Sequence, residues 1–410
     1  MNPIGSYLLK QNFSPVISSP PSDALTIIVV IPCRAEPDLD KTIFSLQRAS
    51  ADFNHLMEIV VVINDLEGDG DEVIAQNYKT KEWLSSGTFE IPVYSLQLGK
   101  MPHKKGGVGY ARKKGMDEAV YRFDLIGQKN GIICSMDADT MVAENYFAEV
   151  INAFDKQKKE CLVIHFEHPL NGLDSDHRLA IVNYELHLRY YIEALRWSGF
   201  SHAYQTLGSA IAVSATGYAV MGGMPVRQAG EDFYFVHKFS KLNQVFELNT
   251  TTVYPSSRVS DRVPFGTGKA IGDLMKNKIK WGITYPIQAF KDLRVFLDYS
   301  LLLNDTSLDV TDMPASINAF LAEIDFKSIL DEIKSNTSSR ENFKKRFYQK
   351  MDAFMMMKYI HFARDHFYGN VNIFSSAMEL FALQYRYTPL CSNPEELLIL
   401  YREMQKKSNR

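Results

Sequence analysis

The sequence predicts an α/β fold: a doubly wound, mostly parallel central sheet with a C-terminal helical appendage. Three observations predict it. Short runs such as residues 25–31, 57–63 and 132–136 are almost wholly apolar and rich in Val and Ile, as suits strands covered on both faces. Segments with helical apolar spacing follow the strands, and this alternation repeats four times. From about Lys269 the strand signal stops and the spacing becomes helical, as in Ile317, Phe320, Leu321 and Ile324.

Residues 1–22 are polar, end in Ser18-Ser19-Pro20-Pro21-Ser22, and are expected to form a flexible N-terminal arm. The first strand, 25–31, stops at Pro32. Pro37 suits the first turn of a helix over 38–49, with Leu39, Ile43 and Leu46 on one face. The second strand, 57–63, runs into a polar turn, Asn64-Asp65-Leu66-Glu67-Gly68-Asp69-Gly70, and a helix over 71–84. A third strand over 92–98 leads to a glycine-rich basic stretch containing Lys104 and Lys105, then to a helix over 108–122. The strand 132–136 ends in Asp137-Ala138-Asp139, and a helix over 144–154 follows. Further on come a strand at 162–166, a long helix at 174–197 capped by Asp174, and a small apolar stretch at 208–220. A helix at 233–242 and a strand at 244–253, polar enough to lie near an edge, complete this part. The expected division is therefore an arm (1–22), a ligand-binding α/β domain (23–268) and a helical region (269–410). Met355-Met356-Met357 suits core filling, because Met packs irregular gaps.

Composition excludes several classes. The chain has 410 residues, 46% hydrophobic and 23% charged, enough for a large core. A net charge of −3 gives no pull toward nucleic acid, which is not an expected partner. Cys33, Cys134, Cys161 and Cys391 form no Cys-x-x-Cys, so reduced thiols in a reducing, cytoplasmic setting are expected. The first residues do not read as a signal peptide, and no apolar run approaches bilayer length.

In open α/β sheets ligands sit beyond the carboxyl ends of the strands. Five charged stretches fall at such ends: Pro32-Cys33-Arg34-Ala35-Glu36, Asn64-Asp65, Lys104-Lys105 with Arg112, Asp137-Ala138-Asp139, and Glu231-Asp232. Asp137 and Asp139 offer two hard oxygen donors, which suit Mg²⁺ or Mn²⁺ when a diphosphate adds further oxygens; equally, such a pair can cap the next helix. Asp65 can accept from a base or ribose, or close an Asx turn. Arg112 follows Gly106-Gly107 and Gly109, where a helix N-terminus favours phosphate, although a solvated basic face needs no ligand. Asp232, beside Glu231, can take the proton of an attacking hydroxyl, or the two acids can simply complement the helix dipole. His165 and His168 would point to opposite faces of a strand, which disfavours zinc.

Taken in order, Ile31-Pro32 with Glu36, Asn64-Asp65, Gly107 with Ala111-Arg112, Asp137-Ala138-Asp139, Gly222-Gly223 and Gly230-Glu231-Asp232 resemble the family 2 glycosyltransferases over residues 25–255. The resemblance implies a GT-A fold, a nucleotide-diphospho-sugar donor, Mn²⁺ or Mg²⁺, and inversion at the anomeric carbon. It implies that Pro32, Glu36 and Asp65 hold the nucleoside, that Arg34 is among the donor-binding residues, and that Arg112 meets the nucleotide or diphosphate. It also implies that Asp137 lies near the ribose and metal, that Asp139 is the principal metal ligand, and that Asp232, with Glu231, serves catalysis. Arg258, Arg262 and Gly266-Thr267-Gly268 fall where a diphosphate contact is expected.

The Gln-x-x-Arg-Trp motif of processive members is missing after Asp232; Arg196-Trp197 stands before it. Addition of one hexose to a saccharide or lipid-linked acceptor, in the making of cell-envelope polysaccharide, is the implied role. A sugar-phosphate nucleotidylyltransferase is disfavoured by the glycine-free stretch after the first strand. A retaining GT-A transferase and a nucleotide-sugar-binding scaffold subunit stay open. Lys276, Lys278, Lys280, Trp281, Lys344, Lys345 and Arg346 suit either a solvated helix face or peripheral contact with the inner, anionic face of a membrane. The oligomeric state is not legible.

Overall fold

The computed structural model describes residues 2–102, 106–227, 230–260, 266–276, 282–300, 302–303 and 313–408. The chain divides into two compact units. One comprises Met1–Asn171, Thr206–Gly272 and Met404–Arg410, the other Gly172–Gln205 and Asp273–Glu403.

The first unit holds an eight-stranded sheet. In chain order its elements begin with α1 (Pro3–Lys10), β1 (Ile27–Cys33), α2 (Leu39–Ala49), β2 (Met57–Leu66), α3 (Asp71–Ser86) and β3 (Val93–Met101). Then come α4 (Val108–Leu125), β4 (Ile132–Ser135), β5 (Met141–Val142), α5 (Tyr146–Gln157) and β6 (Cys161–Phe166). After a long helix of the second unit, α6 (Ser175–Trp197), the sheet resumes with β7 (Ile211–Ser214), α7 (Ala215–Val220), α8 (Glu231–Ser240) and β8 (Val245–Tyr254).

Strand order is β3-β2-β1-β4-β7-β6-β8-β5. The β3–β2, β2–β1, β1–β4 and β6–β8 pairs are parallel, whereas β7 runs antiparallel to both neighbours. Burial explains the composition of the strands. Ile27 to Ile31 and Ile59 to Val62 are 0% exposed, so each must be apolar on both pleat faces. Reversal of β7 has a consequence for the site. The segment that enters β7, rather than the one that leaves it, lies at the carboxyl edge of β4.

Residues 1–22 depart from the expectation of a flexible arm. Asn2 caps α1 and Pro3 takes its first position; Ile4, Tyr7 and Leu8 are buried on one face. The Tyr7 hydroxyl donates to Asp117 at 2.7 Å. Beyond the helix, the N–H groups of Val16 and Ile17 donate to Glu118, and Arg122 donates to the Ser19 carbonyl. Polar composition therefore marks buried anchorage to α4 here rather than freedom.

Among the described residues of the second unit, the elements are helices and the two-residue strands β9 (Ile283–Thr284) and β10 (Val371–Asn372). Of the three methionines expected to fill a core, Met356 is fully buried, whereas Met355 and Met357 are half-buried. The expected single boundary at 268 differs from the observed division, because 172–205 groups with the later helices and 404–410 with the sheet. Among the described residues no helix is long and apolar enough to cross a membrane. Among the described residues Cys33, Cys134, Cys161 and Cys391 form no disulfide.

Candidate functional site

The carboxyl edge of the sheet is built by short-range features that turn polar side chains inward. After β1 the chain turns through Ala35, held at φ +49°, a costly conformation for a residue with a Cβ. Its N–H donates to Asn77 of α3 at 2.7 Å, and the turn delivers the buried Glu36 to the edge. After β4 the Asp137–Asp139 turn closes with a hydrogen bond from Thr140 N–H to the Asp137 carbonyl. The Thr42 hydroxyl of α2 donates to the Ala138 carbonyl at 2.9 Å and fixes that turn. Gly230, at φ +71°, supplies the left-handed step that starts α8 with Glu231 and Asp232. Gly109 lets α4 approach closely: a Cβ there would lie 2.7 Å from the Arg227 carbonyl oxygen.

These turns surround one cavity of about 610 Å³. Pro32, Arg34, Glu36, Arg112, Asp137, Asp139, Glu231, Asp232 and Arg258 all line it. Acids separated by almost a hundred residues in sequence thus share a single cleft. Arg262, Lys104 and Lys105 lie outside the described residues.

Arg112 is the hub. Its guanidinium is buried and donates to the Ser135 hydroxyl, to the Gly208 carbonyl at 2.7 Å and to Asp137 at 2.9 Å; its Nε stands 3.4 Å from Glu231. Burial works against the charge, but Asp137, Glu231 and Asp232 outweigh it and raise the pKa, so Arg112 is a permanent cation. It therefore holds the two acidic segments together, a role the sequence did not suggest.

Asp232 stands at the second position of α8. Burial and the adjacent Glu231 carboxylate push its pKa up to about 7, opposed by Arg112 and by the Phe233 N–H, which donates to it at 2.7 Å. Burial dominates: the cleft wall removes the water that would stabilise the charge. Arg258, beyond β8, reaches back across the edge to Glu36 at 2.7 Å, Asp38 at 2.9 Å and Asp139 at 3.5 Å. Arg34 instead folds against Asp69 in the turn after β2.

Asp65 is displaced from its expected place. It accepts from Asn77 at 2.6 Å and does not line the cavity, whereas its neighbour Asn64 does. Successive residues of a strand face opposite ways, so moving one position along β2 exchanges cavity for helix. The Asn64 amide donates to the Gly106 carbonyl, and its buried Oδ1 has no partner. Ser209, on the segment entering β7, likewise presents a buried hydroxyl without a partner to the cavity. No local signal in the sequence pointed to Ser209. The alternation within β2 was the available signal for Asn64.

Among the described residues no three His, Cys, Asp or Glu side chains are grouped to hold a metal unaided. Asp137 and Asp139 fit a hard divalent ion as the protein's share of a coordination shell completed by ligand oxygens and water. His165 bonds Glu167, and His168 bonds Thr267.

A protein-family model described as Glycosyl transferase family 2 matches residues 28–216. No curated protein matches the chain. Among solved structures the chain is similar to S. aureus TarS 1-349 in complex with UDP-GlcNAc, at 14% identity and TM-score 0.40 over 94% of this chain and 91% of that one. It is also similar to GalNAc-T7 with UDP, GalNAc and Mn²⁺, at 15% identity and TM-score 0.39 over 81% of this chain and 58% of that one. A third similar structure is the mannosyltransferase PcManGT from Pyrobaculum calidifontis in complex with GDP-Man and Mn²⁺, at 10% identity and TM-score 0.36 over 85% and 94%.

Proposed function

We propose that residues 28–216, which match a family model described as Glycosyl transferase family 2, belong to a glycosyltransferase that transfers one hexose from a nucleotide-diphospho-sugar to an acceptor hydroxyl, with inversion and with a divalent cation. One observation carries the reading: Asp232 lines the same cavity as Asp137 and Asp139. A base and a cation-binding pair thus have access to one bound donor.

In this reaction the acceptor oxygen forms a bond to the anomeric carbon as its proton passes to Asp232. The bond from that carbon to the diphosphate breaks, and its electron pair leaves with the terminal phosphate oxygen. Asp232 suits the proton step because a pKa of about 7 leaves it both ionised and basic near neutrality. Glu231 stays buried against Arg112 and adds the negative charge that keeps Asp232 basic. Arg112, engaged with Asp137, orients that carboxylate at the cavity floor. A Mn²⁺ or Mg²⁺ ion held by Asp139 and Asp137 would, when bound, neutralise charge on the departing diphosphate. Asn64 Oδ1 is the acceptor that a base N–H or a ribose hydroxyl would satisfy. Pro32 and Glu36 line the same cavity.

The acceptor, a saccharide or a lipid-linked saccharide, and peripheral contact with a membrane belong to the same proposal. Lys344 and Lys345 are exposed on a C-terminal helix and supply cationic surface for the latter. Flotation with anionic vesicles tests that part, and an unbound protein ends it.

The enzyme reading is tested by a donor panel with Mn²⁺ or Mg²⁺, monitoring nucleoside diphosphate release. We expect one or more donors to turn over with the wild type. Asp139→Ala should lose metal-dependent turnover, and Asp232→Asn should lose turnover while still binding donor. Turnover unchanged in both variants contradicts the assignment.

A further inference from the structure

Arg258 occupies an unusual position for a residue expected to meet a diphosphate. Its guanidinium reaches Glu36, Asp38 and Asp139, three carboxylates from two different strand ends. Glu36 is 3% exposed, and its second oxygen accepts the Asp38 N–H at 3.0 Å, so it is fixed in place. The Ser256 hydroxyl accepts the Arg258 N–H and shapes the turn that aims the side chain. The Arg258 charge thus stands among three carboxylates, of which Asp38 also pairs with Lys41 at 2.7 Å, and it reaches the one expected to be the main protein ligand of a divalent ion.

We propose that Arg258 acts as a cation at Asp139 until donor arrives, and that it exchanges this carboxylate for the donor's diphosphate as the metal ion takes its place. The proposal rests on the glycosyltransferase reading of the cavity. The physical case is competition for the same charge. A metal ion binding Asp139 without nucleotide must displace Arg258 and strand its guanidinium beside a second cation. A diphosphate binding without metal must draw Arg258 off the carboxylates and take its charge away from them. Together the two ligands solve both problems, because planar guanidinium pairs bidentately with phosphate oxygens and the ion pairs with the acids. The exchange makes metal and diphosphate binding cooperative, and linkage requires the coupling to be equal in both directions.

The test is titration of Mn²⁺ into the full chain, with free Mn²⁺ read by electron paramagnetic resonance, alone and with UDP or GDP. The wild type should bind Mn²⁺ weakly alone and about tenfold more tightly with the nucleotide that fits, within the usual range of coupling between sites. Arg258→Gln should bind Mn²⁺ alone several-fold more tightly than the wild type, and nucleotide should add little. Arg258→Lys, which keeps the charge, should stay near the wild type and exclude a general loosening of the fold. Asp139→Asn should lose Mn²⁺ binding under every condition. If Asp139→Asn loses the ion but Arg258→Gln matches the wild type with and without nucleotide, the exchange is overturned and the site reading stands. If Asp139→Asn binds Mn²⁺ as the wild type does, or if no form binds it, both are overturned.

Discussion

At Asp232, burial and Glu231 set a balance that can be measured in two independent ways. The group is protonated below about pH 7 and ionised above it, so a base role predicts that log kcat/KM for transfer rises with pH and levels off near 7. A flat profile from pH 5 to 8 would contradict that role. Asp232→Asn should lower kcat by roughly 10²- to 10⁴-fold with little change in donor affinity. Stability carries the opposite sign. A carboxyl whose folded pKa lies above its unfolded value of 3.8 favours folding when protonated, and this stability is lost as pH rises toward about 7. Asp232→Asn should therefore melt at a higher temperature than the wild type at pH 8. The difference should shrink steadily between pH 7 and pH 4.

Elements meet at the site through a few buried polar links rather than through apolar packing alone. Arg112 ties α4 to β4, to the segment entering β7 and to the start of α8. Replacement by Met would leave Asp137 and Glu231 without their shared cation. Breaking a buried ion pair in this way costs about 3–5 kcal/mol, a change readable by urea denaturation. Lys would not restore it, because one ammonium cannot reproduce the fork that reaches four groups. Helix α1 is held by a similar device. Asp117 of α4 accepts from the Tyr7 and Tyr218 hydroxyls, and Lys113 pairs with it. Tyr7→Phe should cost about 1.5–3 kcal/mol, the range for a hydrogen bond to a charged group. An unchanged urea midpoint would show that this hydrogen bond does not contribute to stability.

At the scale of the whole chain, the legible features are those that local physics imposes. Strands buried on both faces must be apolar throughout, and β1, β2 and β4 announced themselves for that reason. Asp137, Asp139 and Asp232 stood out in the sequence because acids beyond apolar strands or at a helix start need a purpose or a cap, and the structure places all three on one cavity. Features set by distant partners were not legible. Arg258 meets Glu36 across 222 positions, and Tyr7 meets Asp117 across 110. The direction of β7 follows from its neighbours in the sheet, not from its own four residues. The N-terminal helix was within reach: Ile4, Tyr7 and Leu8 keep helical spacing behind an Asn cap and a first-turn Pro, but its polar surroundings hid the pattern. The choice between Asn64 and Asp65 depended on the phase of the pleat, which fixes the orientation of every residue on the strand.

The central claim is that Asp137, Asp139 and Asp232 face one cation-bound diphosphate. Crystals grown with Mn²⁺ and the nucleoside diphosphate identified by the donor panel, measured at the manganese absorption edge, test it most directly. The account predicts a single anomalous peak about 2.1 Å from an Asp139 oxygen, with the diphosphate between that peak and Asp232. A peak bound elsewhere, or a diphosphate outside the cavity that holds Asp232, would contradict it.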